Sequence, residues 1–151
     1  MRIALIFSVT LVLPGLSAHG QERNVRFDGY YQSATPEILT ETNDTCWTYL
    51  RFFSDHSITQ GFSAGVVPDI QYWLKRGGAD AGEEYGQHYT FWGRYTIKKD
   101  SIFFTAKSTE AAFVVRGRIL RNGSLRLEMR NKRGNQATSN VYLFRKAKMK
   151  P

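Results

Sequence analysis

Asp55, His56 and Ser57 stand side by side in the stretch RFFSDHS, residues 51–57, and carry the three side-chain types of a hydrolytic triad. In a triad the base takes the nucleophile's proton on one ring nitrogen while the acid holds the other, so the three side chains must converge. Consecutive residues on a strand point to opposite faces, and at a turn they splay outward. The flanking runs YLRFF and SITQGF are both strand-like, so the stretch reads as a hairpin with His56 exposed at its tip, and no catalytic residue is assigned.

The other titratable groups form no recognisable centre. Beyond the first twenty residues the histidines are His56 and His88, and Cys46 is the single cysteine. A zinc site would have to join both histidines to carboxylates at no recurrent spacing, so no metal and no cofactor is expected. Asp80, Glu83 and Glu84 lie in a small-residue loop without the alternation of a calcium loop. The adjoining GGADAG lacks the lysine of a phosphate cradle. One cysteine cannot close an internal disulfide, and Cys46 is expected as a buried thiol.

The chain of 151 residues suits one domain. Its first twenty residues place Arg2 before an apolar run from Ile3 to Leu13, then Pro14-Gly15 and the small residues Ser17, Ala18 and Gly20. This is the layout of a cleaved signal peptide, which implies a secreted or periplasmic protein, and no cysteine marks a lipid anchor. The run falls short of the ~20 residues needed to cross a bilayer, and no membrane span is expected. The domain then covers residues 21–145 and a basic tail residues 146–151. Lys and Arg number 21 against 13 Asp and Glu, a net charge of +8 that favours polyanions or anionic surfaces. No nucleic-acid reader motif is present, so specific nucleic-acid recognition is not expected. A monomer is.

Short runs rich in aromatic and β-branched residues predict eight strands, near residues 26–32, 46–53, 57–62, 88–97, 101–106, 112–120, 124–130 and 138–144. Asn122-Gly123 between alternating runs predicts a two-residue type I′ turn. Residues 98–100 and 131–135 are further short links, so the chain from residue 88 is an antiparallel meander. VPDIQYWLKRGG, bounded by Pro68 and Gly77, predicts a helix of about two turns near residues 69–76. Residues 33–45 form a second long connection. The fold class is all-β: an antiparallel meander barrel of about eight strands with one short helix.

Alternation puts Tyr95, Ile97, Ile102, Phe104, Phe113, Val115, Ile119, Leu125, Leu127 and Met129 on one face, the expected interior. Arg116, Arg118, Arg126 and Arg130 fall on the other, with Glu128 between the last two. A barrel of this size holds side chains alone or one small ligand. Tyr30, Trp47, Trp73, Tyr95 and Tyr142 are the candidate lining, because each joins apolar area to a polar tip, and the two long connections read as a lid. Two functions follow. One is a non-catalytic module holding a small apolar or aromatic molecule in the lumen. The other is a solid barrel that docks a polysaccharide, lipid head group or protein through the four arginines.

The order GYY (29–31), YLRFFSDHSI (49–58), GRYTIKKDSIFF (93–104), VRGRILRNGSLRLEM (115–129) and VYLF (141–144) resembles the small lipocalin-like, or calycin-type, β-barrel domains of exported bacterial proteins. It is similar also to the barrel-like C-terminal part of the F-box only protein 9 family. The resemblance implies an antiparallel barrel with a binding role and names no ligand. Where that pattern has Asp-Gly in its first hairpin, this chain has Asp55-His56, and Gly29-Tyr30-Tyr31 replaces the Gly-x-Trp of true lipocalins. Histidine is among the residues that enter the left-handed region.

Overall fold

The structure, a computed structural model, describes residues 24–39, 44–63, 70–76, 88–108, 111–132 and 137–148. The expected signal peptide, Pro68, Gly77, Asp80, Glu83, Glu84 and the last three residues of the tail lie outside them. The described elements are β1 (Gly29–Ser33), β2 (Glu37–Leu39), β3 (Asp44–Phe52), β4 (Ser57–Ser63), α1 (Ile70–Trp73), β5 (His88–Lys98), β6 (Ser101–Lys107), β7 (Ala112–Ile119), β8 (Leu125–Asn131) and β9 (Ala137–Lys146).

From β3 to β9 each strand pairs antiparallel with the next; β9 pairs with β1 and β1 with β3, so eight strands close an all-β barrel. β2 is a short addition to β3 that the sequence reading took as part of a connection. Every ladder keeps one register, and following the pairs once around the barrel returns to β1 about ten residues from the start. With a rise of ~3.3 Å per residue and ~4.8 Å per strand, that stagger tilts the strands by roughly 40° to the barrel axis.

Period-two alternation decides what lies inside. In β6, Ile102, Phe104 and Ala106 are buried while Phe103 and Lys107 are exposed. The same phase gathers Tyr31, Leu50, Phe52, Ile58, Tyr95, Val115, Ile119, Leu125, Leu127, Met129 and Tyr142 into one core. Burial of each large apolar side chain there stabilises by about 1.5–3 kcal/mol before chain entropy is counted. Residues 24–28 cover one end. Val25 joins the core, the Arg26 N–H donates to the Tyr31 hydroxyl at 3.0 Å, and the Arg26 guanidinium lies 3.8 Å over the Phe144 ring.

Two hairpins at that end share one turn. Phe53 N–H donates to Ser57 O at 3.0 Å and His56 N–H to Phe53 O at 3.1 Å; Leu120 and Gly123 repeat this with Ser124 and Leu120 at 2.8 and 3.0 Å. The Oδ1 of Asp55 and of Asn122 accepts from the serine two residues on, from its N–H at 3.1 Å and its hydroxyl at 2.6 Å. His56 (φ 66°) and Gly123 (φ 79°) hold the left-handed position. The type I′ turn expected at Asn122-Gly123 is thus corrected. Of the two only Gly123 has positive φ, because the Asn122 side chain is committed to Ser124 and the loop takes three residues with a bulge.

Among the described residues the helix is one turn, with residues 74–76 of the expected second turn non-helical, and it packs against the outside of the barrel. The carbonyls that a further turn would have engaged are taken instead by side chains of the wall. The Thr59 hydroxyl donates to Lys75 O at 2.7 Å, and Arg51 Nη1 donates to Leu74 O at 3.3 Å. Trp73 is fully buried against Tyr49, with ring centroids 5.3 Å apart, and Tyr30, Trp47 and Ile70 pack around the pair. This cover explains why Ile58 to Gly61 are buried on both faces of β4.

Candidate functional site

β4 reads SITQGFS, and alternation sends Ile58, Gln60 and Phe62 inward. A carboxamide therefore stands at a core position, with none of Gln60 reachable by solvent. Its Nε2 donates to Met129 Sδ at 3.0 Å, while Oε1 accepts no hydrogen bond among the described residues. A buried acceptor left in this state costs about 1–3 kcal/mol.

Next to Gln60 lie three rings. The centroids of Phe62 and Phe91 are 5.5 Å apart, of Phe62 and Phe113 5.5 Å, and of Phe91 and Phe113 5.1 Å. Phe62 and Phe113 pack against the core from its edge and are only partly buried. Here β4 leads into residue 64, and residue 87 leads into β5, in a stretch mostly outside the described residues.

Thr48 is the pair partner of Phe62 and sits diagonally from Gln60. Its N–H donates to the Ser33 hydroxyl at 3.1 Å, and its side chain interacts with the Tyr142 phenol. Burial raises the pKa of Tyr142, the Glu37 carboxylate adds to the rise, and the Thr48 hydroxyl opposes it. Burial likewise raises the Glu37 carboxyl above its ordinary range, with a hydrogen bond to Thr138 opposing. An amide acceptor, a phenol, a hydroxyl and a carboxyl thus border an apolar interior. Such a set can orient a small guest.

The five rings expected to line one lumen divide. Tyr95 and Tyr142 face the interior. Tyr30, Trp47 and Trp73 belong to a cluster between α1 and the outer wall and so line no common lumen with the other two, while most of the two connections expected as a lid lies outside the described residues. β3 carries large side chains on both faces, so alternation alone did not say which face is inside. Arg116, Arg118, Arg126 and Arg130 are exposed on the outer wall. Sequence reasoning passed over Gln60, Thr48, Glu37, Phe62 and Phe91, although a glutamine in phase with Ile58 and Phe62 was a usable signal.

Asp55, His56 and Ser57 assemble no triad. Asp55 Oδ1 bonds Ser57 directly, and those hydrogen bonds, side chain first and backbone second, hold the Asp55 carboxyl below its usual range. The imidazole of His56 instead stacks on Tyr95, centroids 5.3 Å apart at 10°. His56 is exposed, as expected, and with Asn24, Phe27, Ser54, Tyr95, Thr96 and Ile97 it lines a cleft of ≈ 340 Å³. Cys46 is buried. Among the described residues no three His, Cys, Asp or Glu side chains group to hold a metal, and no helix is long and apolar enough to cross a membrane. No family model matches the chain, and no curated protein matches it.

Proposed function

We propose that the chain is a secreted or periplasmic, non-catalytic binding module that works as a monomer and holds one small apolar or aromatic molecule in the barrel interior. The observation that carries this reading is the buried Gln60 Oε1 without a donor among the described residues. A core position filled by leucine would avoid that cost, so the amide is best accounted for by a guest that supplies a hydroxyl or N–H. The rings of Phe62, Phe91 and Phe113 offer edges and faces for the guest's apolar body. Tyr142 and Thr48 give a second polar contact. The signal-like first twenty residues support export, and the resemblance to lipocalin-like barrels supports binding over catalysis.

Titration with 1-naphthol, a planar ring system bearing one hydroxyl, tests the reading through tyrosine and tryptophan emission. Saturation at one molecule per chain is expected. A linear, unsaturable change would sink it.

A further inference from the structure

The outer wall of β5 to β8 is a second surface, built independently of the interior. Strand pairing lays its outward side chains in rows: Trp92, Lys107 and Ala112; then Arg94, Thr105, Val114 and Arg130; then Thr96, Phe103, Arg116 and Glu128; then Lys98, Ser101, Arg118 and Arg126. Every row carries a cation, and Glu128 is the one acid within them. Arg116 pairs with Glu128 at 2.9 Å, and Arg118 reaches Asp100 at 4.0 Å. Arg126 makes no ion pair among the described residues, yet it is the direct cross-strand partner of Arg118. Like charges opposed in this way destabilise a sheet. Beside them Phe103, Val114 and Trp92 are 47%, 43% and 38% exposed.

We infer that this wall binds an acidic polysaccharide. A bridging anion offsets the repulsion between Arg118 and Arg126, which the protein's own acids meet only from the Arg118 side, through Asp100 at 4.0 Å. The wall of a closed barrel is convex, so a planar lipid surface meets it along a line while a flexible chain follows its curve. Charge recurs on every row, but exposed rings occur on only two, with Trp92 and Phe103 ~14 Å apart by strand spacing and rise. A single-stranded nucleic acid brings a base with each phosphate and is served by successive stacking platforms. A chain of charged sugars asks for dense charge and an occasional apolar platform, which is what the rows provide.

Heparin serves as the probe, with its affinity measured across a series of NaCl concentrations. The variant Arg118→Ser/Arg126→Ser is compared with Lys75→Ser/Lys148→Ser, which removes the same charge from exposed positions elsewhere. The wall variant is expected to bind at least tenfold more weakly, with the slope of log affinity against log salt smaller by about two. The control should change less than threefold, and the wall variant should hold or raise its melting temperature once the opposed charges are gone. Equal losses in the two variants, or no saturable heparin binding, would overturn the inference. So would tighter binding, at the same salt, of single-stranded DNA or of vesicles containing anionic lipid.

Discussion

The indole of Trp73 rests on Gly61: a Cβ at that glycine would stand 2.6 Å from both Cη2 and Cζ2 of the ring. Trp73 is fully buried and braced by Tyr49, so it has little room to yield. Gly61→Ala should therefore lift α1 off the wall and cost about 1–3 kcal/mol, the usual penalty for an overfilled site. The melting temperature and the near-ultraviolet circular dichroism of the tryptophans should both fall. Binding of 1-naphthol should survive, because Gly61 faces away from the interior.

At the first hairpin, Asp55 and Asn122 perform the same service for Ser57 and Ser124. Asp55→Asn should accordingly keep the melting temperature at neutral pH, while Asp55→Ala lowers it. Equal losses in both variants would mean that the exposed ion pair with Arg76, at 3.4 Å, matters more than the turn. The pH dependence has a definite sign. The Asp55 carboxyl lies below its ordinary range when folded, so its contribution is present above that range and is lost as pH falls. Asp55→Asn should lose less stability in acid than the parent protein.

His56 occupies a left-handed position that glycine takes at Gly123 in the matching turn. His56→Gly relieves roughly 1 kcal/mol of steric strain but surrenders backbone entropy and the stack on Tyr95. Thermal stability should be held or slightly raised, and 1-naphthol binding should be unchanged. A large loss of binding would place the ligand in the cleft beside His56 instead of the interior.

Glu37 behaves oppositely to Asp55. Burial raises its folded pKa, so the folded state favours the protonated acid. Its stabilising contribution is full below the ordinary carboxylate range and is lost as pH rises through the folded value. Glu37→Gln should therefore be more stable than the parent at neutral pH, with the difference vanishing in acid. Urea unfolding at a series of pH values reads this directly. A difference that grows toward acid would contradict the account.

Period-two alternation makes most of the barrel legible in the sequence: Ile102, Phe104, Val115, Leu125 and Leu127 all lie inside as expected. It failed where both faces of a strand are covered. In β3 the inward Thr48, Leu50 and Phe52 alternate with Trp47, Tyr49 and Arg51, and the outer set is as bulky as the inner one. Only the arrival of α1 on the wall explains why Trp47 and Tyr49 are large. Turn chemistry was half legible: Asn122-Gly123 announced a hairpin, but the part played by Ser124, which sets the loop length, did not show. At the candidate site alternation places Phe113 inside, and the same phase in β4 marks Gln60 between Ile58 and Phe62 as an inward amide.

Gln60→Leu tests the central claim most directly. Replacing a buried, half-satisfied amide by an apolar side chain of similar reach should hold the stability of the unliganded protein or raise it by about 1 kcal/mol. If Oε1 receives a donor from the guest, affinity for 1-naphthol, measured by calorimetric titration, should fall at least tenfold in the same variant. Unchanged affinity, or a parent protein that binds no 1-naphthol at all, would contradict the account.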